Sequence, residues 1–206
     1  MLVIWGRTNS INVQKVLWCC EELALEYRRV DAGGAFGIVN TPEYRKLNPN
    51  GLVPTIEDDG LVLWESNAIV RYLSAMHSVG NLWPTDLGTR ALADQWLDWS
   101  HTTWLPAMRN AFLGLIRTAP DKRDTAAIEQ SRDDTAKVLE ILEAHLATHE
   151  YIAGSDFSMG DIAMGCGAWR WLSLPIERPT LPNLQRWFER LALRPPYRKA
   201  VMLPLT

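Results

Sequence analysis

Three short stretches of the 206-residue chain carry side chains that could do chemistry together. In "VLWESNAIVRYL" (62–73), Glu65 and Ser66 stand between an apolar strand-like run and an amphipathic helix-like run. A hydroxyl and a carboxylate at such a corner can cap the helix. They can also hold a ligand: Ser66 can donate to a carboxylate, and Glu65 complements an ammonium group. In "LNPNGLVPTI" (47–56), Pro54 follows Val53 directly before a strand, where its missing N–H costs little. In "GRTNSIN" (6–12), Ser10 and Asn12 lie where a first helix should begin. A helix N-terminus favours negative charge. A ligand with a carboxylate and an amine at one end and a thiol at the other fits this inventory.

The elements that must position these residues are read from periodicity. "LVIW" (2–5) is a short buried-strand pattern, and Val13, Val16, Leu17, Cys20 and Leu23 recur at helical spacing. "YRRVDA" (27–32) is a second strand, "GGAFG" (33–37) a loop, and "TPEYRKL" (41–47) a short helix with Pro42 at its first position. "VPTIED" and "LVLW" form a hairpin through Asp59-Gly60, and "SNAIVRYLSAMH" (66–77) closes the half as a helix. The order is βαβαββα, which suits a thioredoxin-like domain over 1–80. In that fold the Ser10 loop, the Val53-Pro54 turn and the Glu65-Ser66 corner face one groove.

After the turn-rich "VGNLWPTDLG" (79–88), a second domain, 87–206, reads as all-α. Leu92, Trp96 and Trp99 mark one long helix, which Pro106 should kink. Val138, Ile141, Leu142 and Leu146 mark a second. "FSMGDIAMGCGAWRWL" is apolar nearly all round and reads as a helix at the centre of a bundle. Ser158 and Asp161 have capping-box spacing, and Phe157 and Ile162 that of a hydrophobic staple. "PTLPNLQRWFERLALRP" gives a fourth helix. The fold class is therefore α/β plus all-α.

Composition narrows the partners. Net charge is −3, which gives no basis for nucleic acid or an anionic membrane as partner. Three cysteines, Cys19, Cys20 and Cys166, form neither a disulfide framework nor a metal motif, so no metal is expected. Cys19 and Cys20 read as core. "MLVIWGRTNS" lacks the features of a signal peptide, and a reducing cytoplasm is the expected location.

The combination "NPNGLVPTI…LVLWESNAIVRYL" resembles the glutathione-binding half of the soluble glutathione transferases, and the half containing "FSMGDIAM" resembles their C-terminal domain. The likeness covers essentially the whole chain. The start, "VIWGRTNSINVQKVLW", is similar to a bacterial branch near the theta and phi classes. The resemblance implies that glutathione is the cosubstrate, with no other cofactor. It implies that Val53 pairs its backbone with the cysteinyl part beside a cis Pro54, and that Glu65 and Ser66 hold the γ-glutamyl end. The catalytic serine of those classes corresponds to Ser10, six before Val16. Related bacterial proteins can use a side-chain amide, which makes Asn12 the second candidate. Where theta and phi proteins carry Gln or Lys before the Val-Pro turn, this chain has Leu52. Either a backbone contact there suffices, or Asn50 or Phe36 takes over the glycyl end.

The expected chemistry is attack of the glutathione thiolate on a small electrophile, halogenated ones included. A thiol of pKa about 8.5 is only about 3% thiolate at pH 7. A hydrogen bond to sulfur plus a helix N-terminus, lowering that pKa by about two units, raises the fraction to about three quarters. Trp104, Arg109 and Phe112, with Trp5 or Arg7 from below, are the candidates to line the electrophile pocket. A homodimer is implied by the family. Two alternatives stand beside this reading: glutathione-dependent peroxide or disulfide reduction, and a non-enzymatic glutathione-binding or docking protein.

Overall fold

A computed structural model describes residues 1–206. Strands β1 (Leu2–Trp5), β2 (Tyr27–Val30), β3 (Thr55–Asp58) and β4 (Leu61–Trp64) form one sheet in the order β2-β1-β3-β4. β1 is parallel to β2 and antiparallel to β3, with Ile4 opposite Ile56, and β3 continues antiparallel into β4. Ile4 and Ile56 are fully buried, as residues of the two central strands should be. The β3–β4 turn places Asp59 and Gly60 at φ 45° and 89°, the left-handed pair that a two-residue hairpin needs.

Helices α1 (Ile11–Glu22) and α3 (Ser66–His77) pack together beside the sheet. The short α2 (Pro42–Leu47) is capped by Thr41, whose hydroxyl accepts from Tyr44 N–H at 3.3 Å. This half is a thioredoxin-like βαβαββα unit. A 3₁₀ turn, Gly34–Phe36, occupies what the sequence reads as a plain loop.

The second half contains α4 (Leu87–Trp99), α5 (Leu105–Phe112), α6 (Thr125–Leu146), α7 (Met159–Ser173), α8 (Pro182–Ala192) and α9 (Pro195–Ala200). The last was not expected as a separate helix. Ahead of Pro106 the chain widens into a π turn, Ser100–Trp104, and runs on into α5. Proline lacks the N–H that an α-helical turn would use there, and a wider turn is one way to accommodate it. α7 is buried from Met159 to Ala168 and packs against α1, α3, α4, α5 and α8. Its capping box is present: Asp161 accepts from Ser158 N–H at 2.9 Å.

Two expected helix faces are corrected. On α6 the buried stripe is Ile128, Ser131, Thr135, Leu139, Leu142 and Leu146, while Ile141 is 55% exposed. On α4 the buried residues are Ala93, Trp96 and Leu97, and Leu92 lies at the surface. No helix is long and apolar enough to cross a membrane.

Candidate active site

β1 ends at Trp5, and Gly6 N–H bonds the carbonyl of Val30 at 2.9 Å. The chain then turns through Arg7 to Ser10, which occupies the N-cap of α1 in extended conformation (φ −90°, ψ 122°). Its carbonyl accepts from Gln14 N–H at 2.9 Å, but its hydroxyl caps nothing. A half-buried Ser hydroxyl is thus left uncommitted at the positive end of a twelve-residue helix. Asn12 lies in the first turn of the same helix.

The segment before β3 is pinned from below. The Leu52 carbonyl accepts from Tyr44 O–H at 2.7 Å and from Asn48 Nδ2 at 3.0 Å. The Val53–Pro54 peptide is cis. Leu52, 63% exposed, and half-buried Val53 then turn to the same cavity as Ser10 and Asn12.

The Glu65-Ser66 corner does not act as a side-chain cap. Glu65 holds the N-cap position of α3 at φ 73°, and its exposed carboxylate makes no cap bond. Ser66 is buried, and its hydroxyl donates to Asn12 Oδ1 at 3.3 Å. Next to it, Asn67 Nδ2 donates to the Leu97 carbonyl at 2.7 Å, and the fully buried Lys15 donates to Asn67 Oδ1 at 3.1 Å. Burial pulls the Lys15 ammonium down to about 8.

Ser10, Asn12, Leu52 and Val53 form one wall of a cavity of about 530 Å³ between the two halves. Its far wall comes from the second half: Leu105, Met108, Arg109 and Phe112 of α5, Arg117 just beyond, and Arg170 of α7. Arg7, Arg109 and Phe112 all line this cavity. Trp104 does not. It is fully buried, and its ring fits against Gly167 of α7, where an added Cβ would meet ring atoms at 3.0 Å. Trp5 is likewise structural: its Nε1 donates to Glu57 at 2.7 Å and its ring meets Tyr44 edge-on.

Phe36 and Asn50 are not in this cavity. Phe36 lines a smaller one, about 340 Å³, beside Arg7, Asn9 and Arg117. Asn50 is occupied by its own loop, through its N–H and Nδ2 to Asn48 Oδ1 at 3.0 and 3.1 Å. A larger cavity of about 770 Å³, lined by Glu22, Asp86, Asp156 and Arg194 among others, shares no residue with the site.

The sequence reading missed Arg117 and Arg170. Arg117 donates to the Thr206 main-chain oxygen and stands 5.1 Å from the Phe112 ring centre. The Arg170 guanidinium is 3.7 Å from the same ring centre. One signal was available: Arg170 interrupts the most apolar helix in the chain, and a charge there needs a reason. The cysteines are inert by position: Cys19, Cys20 and Cys166 are buried and free, and burial pushes the thiols of Cys19 and Cys166 up to about 12. No three His, Cys, Asp or Glu side chains are grouped to hold a metal ion.

Comparison with known proteins agrees with the geometry. Two family models match: the glutathione S-transferase N-terminal domain over residues 9–76 and the C-terminal domain over residues 100–195. Glutathione S-transferase GstB of Escherichia coli is 43% identical over the full length of both chains. Glutathione S-transferase 3 of Zea mays is 32% identical over 97% of this chain and 93% of its own. The solved structure of the theta class glutathione S-transferase from Xanthomonas axonopodis pv. citri, with glutathione bound, is 48% identical. It superposes with a TM-score of 0.97, covering 100% of this chain and 99% of that one. The sheet order, the helical second half, both family models and these full-length relatives together show that this chain belongs to the glutathione S-transferase family and is an enzyme of that kind.

Proposed function

We propose that the chain binds glutathione across the Val53–Pro54 turn and the Glu65–Ser66 corner, and presents its sulfur to the N-terminus of α1. There the Ser10 hydroxyl donates to the sulfur and holds it as thiolate. The observation that carries this reading is the placement of an uncommitted Ser10 hydroxyl, Asn12 and Val53 on one wall of one cavity. The Ser66–Asn12 hydrogen bond connects that wall to the corner that would hold the γ-glutamyl end. The exposed Glu65 carboxylate is free to pair with the α-amine.

The other wall receives the electrophile. Leu105, Met108, Phe112 and Leu113 supply apolar contact, so a small substrate is held over the sulfur. The thiolate attacks carbon, the C–S bond forms, and the leaving group departs with its electron pair. Substitution is favoured over disulfide exchange because no cysteine lines the cavity, so no protein thiol is available there to form a mixed disulfide. A detoxifying role in the cytoplasm fits this chemistry.

The functional unit we infer is a homodimer of two-domain chains, with domains over 1–80 and 87–206. Val62 and Trp64 on the edge strand β4, with Met76 on α3 and Leu92 on α4, leave apolar side chains at the surface. Sedimentation should give twice the chain mass. The activity is tested by glutathione-dependent turnover of an aryl halide, a haloacid, a hydroperoxide and a mixed disulfide. Turnover of a halide is expected. Activity confined to the peroxide or the disulfide contradicts the reading.

A further inference from the structure

The site cavity has a charge that its protein does not. The chain carries 21 Lys and Arg against 24 Asp and Glu. Yet Arg7, Arg109, Arg117 and Arg170 all line this cavity, with no carboxylate side chain among its lining residues. The ion pairs of the fold join Arg29, Arg71, Arg132, Arg190, Arg194 and Lys199 to Asp or Glu, and none uses these four.

Arg170 is the most telling of them. It sits near the end of the buried helix α7, and its Nε is shielded from solvent without a partner. Arg178 and Arg190 share that feature, but their other nitrogens bind main-chain carbonyls. No guanidinium nitrogen of Arg170 makes a hydrogen bond to protein, and the group instead stacks on Phe112. Arg7 reaches only Asn9 Oδ1, at 3.3 Å. An unpaired buried cation is costly unless something completes it. Burial, then the neighbouring charge of Arg117, pull the Arg170 guanidinium down to about 9, which still leaves it a cation at neutral pH.

We propose that the second substrate of this enzyme is an acid, a small electrophile whose carboxylate is bound by Arg170 with Arg7 and whose electrophilic carbon lies toward the Ser10 end of the cavity. This rests on the transferase reading and adds the substrate class to it. A guanidinium fork matches a carboxylate in shape and charge, and stacking on Phe112 fixes the plane of the fork. An α-halo acid has the right connectivity. The glutathione thiolate forms a C–S bond at the α-carbon, the C–halogen bond breaks, and halide leaves with the electron pair. The carboxylate passes unchanged from substrate to product, and no redox partner is required.

The test compares chloroacetate with chloroacetamide, which differ in charge but little in shape, at saturating glutathione. Each enzymatic rate is divided by its uncatalysed rate. The acid should gain about tenfold to a hundredfold more acceleration than the amide, the range of one or two charge-assisted hydrogen bonds. Arg170→Met should remove most of that ratio, chiefly through KM, and Arg170→Lys should keep part of it. Should Arg170→Met fail to fold by circular dichroism, Arg7→Met and competition carry the test. Acetate should then inhibit chloroacetamide turnover competitively, and acetamide should not. Glutathione binding with amide turnover but no acid preference overturns this proposal alone. So does an Arg170→Met loss that lies wholly in glutathione affinity, since the arginines would then serve the cosubstrate. No glutathione binding and no turnover of either electrophile overturns the transferase reading, and this proposal with it.

Discussion

Ser66 Oγ donates to Asn12 Oδ1 at 3.3 Å, joining the first turn of α3 to the first turn of α1 across 54 residues of sequence. The corner that would grip one end of glutathione is thereby coupled to the helix end that would meet its sulfur. A change at either residue should be felt at both ends of the ligand.

Glu65→Ala and Ser66→Ala should each weaken glutathione binding by roughly 1–3 kcal/mol, through loss of charge-assisted hydrogen bonds. Neither side chain caps α3, so stability should change little. Glu65→Gly makes the distinction sharper. Glu65 sits at φ 73°, where glycine is unstrained, so that variant should hold or gain about 0.5–1 kcal/mol of stability while losing affinity. Calorimetric titration and denaturant unfolding of the same samples decide it. Unchanged affinity in all three variants removes the proposed γ-glutamyl site.

Ser66→Ala and Asn12→Ala should not add. Each breaks the same hydrogen bond, so the double variant should lose less glutathione affinity than the sum of the two, by about 0.5–1.5 kcal/mol. Strict additivity in a double-mutant cycle means that the two residues act independently.

Asp161 should matter more than its capping partner. Its carboxylate accepts from Ser158 N–H at 2.9 Å, Ile152 N–H at 3.0 Å and Trp187 Nε1 at 2.8 Å, all inside the core. Asp161→Ala leaves those donors unpaired and should cost roughly 3–5 kcal/mol, against about 0.5–2 kcal/mol for Ser158→Ala. The two losses should be less than additive. Urea unfolding of both single variants and the double variant measures this. Equal losses mean that Asp161 does no more than cap.

Lys15 gives a dependence of stability on pH. Its folded-state pKa is lowered from 10.5 to about 8, by burial first and by the nearby Arg170 charge in addition, with Cys166 and Glu65 acting the other way. The unfolded chain then binds more protons between about pH 8 and pH 10.5, so the Lys15 contribution improves as pH rises through that window. It is least favourable below pH 8, where folding must bury the ammonium ion. Lys15→Met should therefore stabilise the protein at pH 7 by roughly 2–4 kcal/mol, less about 1 kcal/mol for the bond lost to Asn67. The difference between variant and parent should shrink toward pH 10. A difference that is flat with pH means that Lys15 has the same pKa in the folded and the unfolded chain.

What was legible in the sequence follows from the range of the interactions. The order of elements, the Asp59-Gly60 turn, the Thr41-Pro42 helix start and the Ser158–Asp161 box are set by residues close together in the chain, and each stands in the structure. The α6 face was misread for a physical reason. Ser131 and Thr135 belong to its buried stripe because Ser131 Oγ bonds the Ala107 carbonyl at 2.5 Å and Thr135 Oγ1 the Ser131 carbonyl at 2.6 Å. Two satisfied polar residues hide a stripe from a count of apolar ones. Trp104 was misplaced because the π turn over Ser100–Trp104 changes the helical phase, so the face cannot be extrapolated across it. The charge of Arg170 in an apolar helix was visible, but not its setting, which depends on Arg7 and Phe112, far off in sequence, lining the same cavity.

The central claim is that the N-terminus of α1, with Ser10 as donor, holds glutathione as thiolate. Its most direct test is the ultraviolet thiolate absorbance of bound glutathione as a function of pH, in the parent, Ser10→Ala and Asn12→Ala. The parent should show an apparent pKa about two units below that of free glutathione. Ser10→Ala should move the curve upward by about one unit or more, with glutathione affinity nearly kept and the turnover defect shrinking at alkaline pH. A Ser10→Ala curve that coincides with the parent contradicts the assignment: a shift in Asn12→Ala would then make the amide the donor, and no shift in either would leave activation to the helix end alone.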